Sequence, residues 1–567
     1  MINPLAEQGF PTLAADGNGN QQDAGQERGR FMRKFARSLI GAAFLAGVAA
    51  GVTSVAVPAW ADTPKDSLVM AWQFDDIISL DPAEIFELSG AEYGAQVYDR
   101  LITYDVKDVS KILPALAESW QVSDDGKTYT FKIRNGVKFH SGNALTAEDA
   151  AYSFQRAVKL DKSPAFILTQ FGFTKSNVDQ KIKATDPNTL VIETDQAYAP
   201  TFVLYCLTAG VASIVDAKLL KEHEKDGDFG WNWLKTNSAG SGPFKLRQWK
   251  PSEMLTLDAN PAYREGAPAM KRVIIRHIPE PATQRLLLEK GDVDVARNLK
   301  PEQFEPLKSS KEIRLVEALK GTLWYISLNQ KNPILSKPEV RKAMRYLVNY
   351  DAMRGSIMNG IGSVHQAFLP KGMLGAVEDN PFKYDPAKAR ELLTAAGYPD
   401  GFTVSMDVRN TSPTMDMAQT IQASAAAGGV KIELLPMDGK QALTKYRARN
   451  QDIYIGQWGP DYQDPNTNAD TFASNPNNAD DAAAKPLAWR NAWDIPELTK
   501  ETAAAVLERD SAKRAAMYQD LQRKVMEDSP FVIMFQQTEV AAERTNVEGM
   551  VWGPSFDTNY YRLATKK

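Results

Sequence analysis

The sequence predicts an α/β protein of several domains, and two observations carry that reading. The first is the order strand, turn, strand, helix between Pro114 and Val158. Trp120 and Val122 alternate with polar residues, and Asp125-Gly126 supplies a turn because glycine tolerates the positive φ of a tight hairpin. Tyr129, Phe131 and Ile133 then alternate with Thr128, Thr130, Lys132 and Arg134, giving one buried and one wet face. Gly136 interrupts the run, Val137 and Phe139 resume it, and Thr146 with Asp149 forms a T-x-x-D helix start. The second observation is length. A chain of 567 residues exceeds what a single hydrophobic core accommodates, so two or three domains are expected.

Upstream, Arg28, Arg30, Arg33, Lys34 and Arg37 form a basic region before an uncharged run from Leu39 to Val57. Ala59-Trp60-Ala61 follows as a small-x-small site. This is the pattern of a secretory signal with cleavage after Ala61, and it favours export over a permanent anchor. Residues 1–31 are rich in Gly, Gln, Asp and Asn, which makes Met32 the more ordinary initiator. Arg30 and Arg33 are not adjacent, so a twin-arginine signal has little support. Cys206 is the only cysteine, which excludes an intramolecular disulfide and leaves none at the mature N-terminus for a lipid anchor. A soluble periplasmic protein is expected.

Composition removes several functions. A net charge of −4 gives no basic footprint for nucleic acid. His140, His223, His277 and His365 are widely separated and lack a second ligand at metal-binding spacing. Gly240-Ser241-Gly242-Pro243 lacks the P-loop pattern, and Phe244-Lys245-Leu246 after it reads as a strand. There is no G-x-S-x-G or H-E-x-x-H, and Cys206 lies in an apolar run where a thiol is inert. No cofactor, metal or catalytic group is expected. Most of the eleven Trp and nineteen Tyr are read as core, with some available to wall a small-molecule cleft.

The literal string from Pro114 to Val158 resembles the signature block of the dipeptide/oligopeptide (family 5) solute-binding proteins of ABC importers. The resemblance continues in order through Leu80-Asp81-Pro82, Gln96 to Leu101, Gly240 to Leu246, Gly291 to Val295, Val340 to Met344, Tyr384 to Ala389, Gln457 to Pro465 and Ala515 to Gln522. It implies a periplasmic binding protein of type II-like fold, with two lobes, a hinge and an extra inserted domain. Residues 62–92, 238–323 and 533–567 are expected to form a discontinuous first domain, residues 93–237 the inserted second and residues 324–532 the third.

The resemblance also implies a ligand site between the first and third domains. Asp452 to Gly456 reads as a short strand ending at Trp458, followed by a loop held by Gly459 and Pro460. In peptide-binding relatives the aspartate matching Asp461 accepts the ligand's α-ammonium group, with Trp458 lining the pocket; Gly459 and Tyr462 flank it and are counted with the site. The plainer reading is that D-Y-x-D-P shapes a loop. Phe402 to Val408 alternates as a strand with Arg409 at its end, where the match implies an arginine gripping a terminal carboxylate. A surface arginine at a strand end is the alternative. Trp324 and Tyr325 are candidates for the cleft wall, with core packing as the other reading.

The expected ligand is a dipeptide, short peptide or amino-acid derivative, with an opine, betaine, glycoside or chelated nickel as the runner-up within the family. The expected partners are an ABC permease heterodimer with cytoplasmic ATPase subunits, with the binding protein a monomer. A glycosidase-like pair of Asp461 and Asp464 is the enzymatic rival, disfavoured because both belong to one loop motif.

Overall fold

The computed structural model describes residues 63–567 apart from Ala483. The expected signal, its cleavage after Ala61 and the alternative start at Met32 lie outside the described residues. The hairpin forms from the strands Ala117–Val122 and Thr128–Ile133, which place Trp120 opposite Phe131 and Val122 opposite Tyr129. Gly126 takes φ +74° in the turn, and Asp125 Oδ1 accepts the Lys127 N–H at 3.0 Å. Tyr129, Phe131 and Ile133 are buried. Thr189–Glu193 and Ile182–Asp186 complete a four-stranded antiparallel sheet. The helix Ala147–Leu160 begins with Asp149 accepting the Thr146 N–H at 2.9 Å. The sheet and helix share a core that contains Phe154, Phe171 and Phe202.

A second, mixed sheet of eleven strands organises the rest. From one edge it runs Val430–Met437, Phe402–Arg409, Ile453–Trp458, Ile313–Leu328, Phe531–Arg544, Val295–Ala296, Ser67–Trp72, Arg272–His277, Met254–Ala259 and Phe244–Lys250, with Gly362–Val364 paired to Phe531–Arg544 off this path. Ile313–Leu328 and Phe531–Arg544 pair antiparallel along most of their length. Their register breaks between Leu319 and Leu323. Beyond one side of the break, Phe531–Arg544 meets Val295–Ala296. Beyond the other, Ile313–Leu328 meets Ile453–Trp458. Apolar side chains pack on the sheet at both ends: Leu68, Met70, Val273 and Ile275 in one cluster, Ile326, Met406, Ile432 and Ile455 in another.

Several motifs act as joints between these parts. Asp81 holds Arg156 of the Ala147–Leu160 helix bidentately at 2.9 and 2.5 Å, with both side chains buried. Gly240 and Gly242 touch the backbone at Val97 so closely that a Cβ would lie 2.0 Å from Val97 O or 2.6 Å from its carbonyl carbon. Ser241 between them donates to Asp99 Oδ2 at 2.8 Å. The Gly-Ser-Gly-Pro segment is therefore a packing joint leading into the strand Phe244–Lys250. Near the middle strands, Arg297 bridges Glu92 (2.6 and 3.0 Å) and Glu539 (2.9 Å). Lys320 Nζ adds a contact to Glu539 at 2.9 Å, and the Trp72 ring lies 4.1 Å from the Arg297 guanidinium.

Candidate functional site

Phe402–Arg409 runs parallel to both Val430–Met437 and Ile453–Trp458, so the three strands end at the same edge of the sheet. In open α/β sheets ligands bind outside the carboxyl ends of such strands. Arg409 is the last residue of its strand and is exposed. Its guanidinium lies over Gly439, where a Cβ would come within 2.4 Å of Arg409 Nε. Gly439 opens the helix Gly439–Arg447, and the missing side chain makes room for the arginine. Among the described residues Arg409 has no carboxylate partner.

The strand Ile453–Trp458 delivers the loop that carries Asp461. The Asp461 backbone N–H donates to Thr467 Oγ1 at 3.1 Å, which holds the loop against the helix Asn466–Phe472. Its carboxylate accepts no hydrogen bond and meets no cation in an ion pair among the described residues. Part of the side chain remains accessible, yet the surrounding protein displaces most of the water that would solvate a charge. That desolvation raises the Asp461 pKa to about 7, and the field of Arg490 opposes the rise only in part. The result is a carboxylate held ready for a cation it does not yet have.

Asp464, three residues on, is its opposite. Arg514 grips it bidentately at 2.6 and 2.7 Å with both groups buried, and Asp464 Oδ1 also accepts the Asn466 N–H at 2.9 Å. Those bonds occupy the carboxylate, which removes Asp464 from any glycosidase-like pair.

The remaining candidates separate. Trp458 is half-buried; its indole donates to Asn468 Oδ1 at 3.3 Å and its ring meets Phe472 edge-on at 6.5 Å. Gly459 is half-buried beside Thr322. Tyr462 is buried, with its ring 5.9 Å from Phe202, and joins the core of the four-stranded sheet. Trp324 and Tyr325 are both buried, in different clusters. Tyr325 packs against Phe472 and Phe531, and burial pushes its hydroxyl far up; Trp324 Nε1 has no partner among the described residues.

Sequence reasoning missed Tyr454, Arg447 and Arg490. Tyr454 stacks on Tyr446 at 4.1 Å and lies along its own strand over Gly456, whose Cβ would fall 2.3 Å from the ring. Burial and Tyr446 push Tyr454 up to about 12, against the fields of Arg409, Arg490 and Arg447. Tyr454, Arg447 and Arg490 come from three separate elements, so no spacing in the sequence announced them. Concave sites of about 430 and 310 Å³ lie elsewhere, around Thr146–Glu222 and Tyr98–Leu563, and neither is lined by Asp461 or Arg409. Among the described residues no cluster of His, Cys, Asp and Glu is arranged for a metal, and Cys206 is buried with its thiol pushed well up. No described helix is long and apolar enough to cross a membrane.

Comparison with known proteins agrees with this architecture. The structure is similar to DppA of Helicobacter pylori, an ABC transporter-associated periplasmic binding protein solved with the peptide STSA, at a TM-score of 0.74 and 25% identity over 88% of this chain and 98% of that one. It is also similar to a dipeptide-binding protein of a Pseudoalteromonas species solved with Met-Leu, at a TM-score of 0.75 and 20% identity over 88% and 100%. The fold is thus that of the two-lobed, type II-like periplasmic binding proteins, a class that binds solutes and does not transform them. The family model for bacterial extracellular solute-binding proteins, family 5 Middle, matches residues 111–480, and the chain belongs to that family. A probable D,D-dipeptide-binding periplasmic protein, DdpA of Escherichia coli K12, is 30% identical over 88% of this chain and 94% of its own length. The glutathione-binding protein GsiB of Pectobacterium atrosepticum is 28% identical over 88% and 94%.

Proposed function

We propose that this protein captures a dipeptide, short peptide or amino-acid derivative in the periplasm and delivers it to an ABC permease. Asp461 receives the ligand's ammonium group, and Arg409 receives a carboxylate. The single observation that carries this reading is the desolvated, unpartnered carboxylate of Asp461 at the carboxyl edge of parallel strands. An arginine free of protein acids at the end of the neighbouring strand supports a zwitterionic ligand. The names of several relatives, which bind dipeptides or glutathione, point to the same solute class.

In this reading residues 62–92, 238–323 and 533–567 form the first domain, 93–237 the second and 324–532 the third. The protein works as a monomer whose first and third domains close over the ligand. The register break between Leu319 and Leu323 is the natural hinge, because both long strands pass from one part to the other there. Closure removes water from the charged contacts and creates a surface for the permease heterodimer, whose cytoplasmic ATPase subunits drive import.

Calorimetry with a dipeptide panel and its N-acetylated and amidated forms tests the site. Asp461→Asn keeps an acceptor oxygen but removes the charge, and its expected loss is on the order of 2–5 kcal/mol. That is roughly a thirtyfold or larger rise in Kd. Arg409→Met should weaken free carboxylates far more than their amides. Binding of uncharged sugars by the wild type, or unchanged zwitterion binding in both variants, would overturn the assignment.

A further inference from the structure

We infer that Arg447 and Arg490 form a second anion-binding position beside Arg409, so that the captured solute carries one ammonium and at least two anionic groups. This rests on the ligand site proposed above and adds the charge class of the solute. Arg490 ends the short helix Leu487–Arg490. Its Nε donates to Lys485 O at 3.2 Å and its guanidinium carbon sits 5.6 Å from the Tyr446 ring. That anchors the group while its terminal nitrogens meet no acceptor among the described residues. Arg447 follows Tyr446 directly, in the last turn of Gly439–Arg447, and likewise has no acid partner among them.

Other arginines of the protein are differently placed. Arg449, two residues past Arg447, bonds Asp480 Oδ1 at 2.9 Å and Asn478 Oδ1 at 2.6 Å. Arg514 and Arg156 are bidentate on carboxylates. Around the Tyr446–Tyr454 stack, arginines from three elements have no ion-pair partner among the described residues. Partial desolvation and the like charge of Arg490 both push the Arg447 guanidinium down, a repulsion that an arriving anion would relieve. The Tyr454 hydroxyl, which lies along the strand over Gly456 and has no hydrogen-bond partner among the described residues, lies in the field of the same charges and offers a neutral donor. Arg490 is also the charged group whose field acts on Asp461. One carboxylate against three arginines leaves an excess of positive charge. A simple zwitterion would leave that excess uncompensated.

The test is calorimetry on wild type and Arg447→Gln with the pairs Ala-Gln and Ala-Glu, and Gln-Ala and Glu-Ala, alongside N-acetyl-Ala-Glu. In at least one placement the glutamate peptide should bind roughly tenfold tighter than its uncharged counterpart, and the preference should shrink to within about twofold in Arg447→Gln. Arg447 is exposed, so that variant folds. Arg490→Lys keeps the charge without the planar fork and should retain part of the preference. Equal binding of glutamate and glutamine peptides, with N-acetylation still abolishing it, would overturn this inference and leave the ammonium site standing. Failure of every dipeptide to bind would overturn both.

Discussion

Glu92, Arg297, Lys320 and Glu539, near the middle strands of the large sheet, are buried and paired with one another. Asp461 and Arg409, just past or at the carboxyl ends of outer strands, and Arg447 and Arg490, each the last residue of a helix, have no opposite charge in contact among the described residues. In the first set the charges stabilise one another, and Arg297 with Lys320 holds Glu539 down at about 2. In the second, desolvation outweighs the field of Arg490 and lifts Asp461 to about 7. Charges that satisfy each other belong to the fold. Charges that protein alone leaves unsatisfied belong to whatever the protein binds. The same contrast recurs within one loop, where Asp464 is locked to Arg514 and Asp461 is not.

The largest expected effect lies in the paired set. Arg297→Met leaves Glu92 and Glu539 buried with only Lys320 opposite, and should destabilise the protein by about 3–5 kcal/mol in urea unfolding. A loss under about 1 kcal/mol would break the comparison, because such a network would then be no firmer than a surface pair.

Asp461→Asn should do the reverse in the unliganded protein. Folded Asp461 keeps its proton to about pH 7, whereas the unfolded carboxyl releases it near 3.8. Across that window the native state binds more protons, so this group lowers wild-type stability as pH rises. At pH 8 the asparagine variant should be more stable by about 4 kcal/mol, with the gain nearly gone at pH 4. A variant less stable than wild type at pH 8 would mean that Asp461 supports the fold after all. The smallest effect is expected for Arg447→Gln, which should leave unfolding within about 0.5 kcal/mol of wild type, as for a surface position without partners.

Local structure was legible in the sequence where chemistry is local. Gly126 in its turn and the Thr146–Asp149 helix start follow from backbone rules that need only a few neighbouring residues. The strand Phe402–Arg409 and the strand Ile453–Trp458 followed from alternation. What alternation could not decide was which buried face each aromatic enters. Trp324 and Tyr325 are adjacent, so they point to opposite sides of one strand, and both sides are core. The pairing of Asp464 with Arg514 spans 50 residues and left no mark in spacing. The gathering of Arg409, Arg447 and Arg490 around Tyr454 is equally a product of tertiary packing.

In the proposed site Asp461 waits, protonated below neutral pH, for a cation that ionises it. Calorimetry of one dipeptide at pH 6, in two buffers of different ionisation enthalpy, reads this directly as protons released on binding. With the Asp461 pKa at about 7, binding should release about 0.9 proton per ligand at pH 6, and Asp461→Asn should release none. Proton release near zero in the wild type, or equal release in both proteins, would contradict the claim.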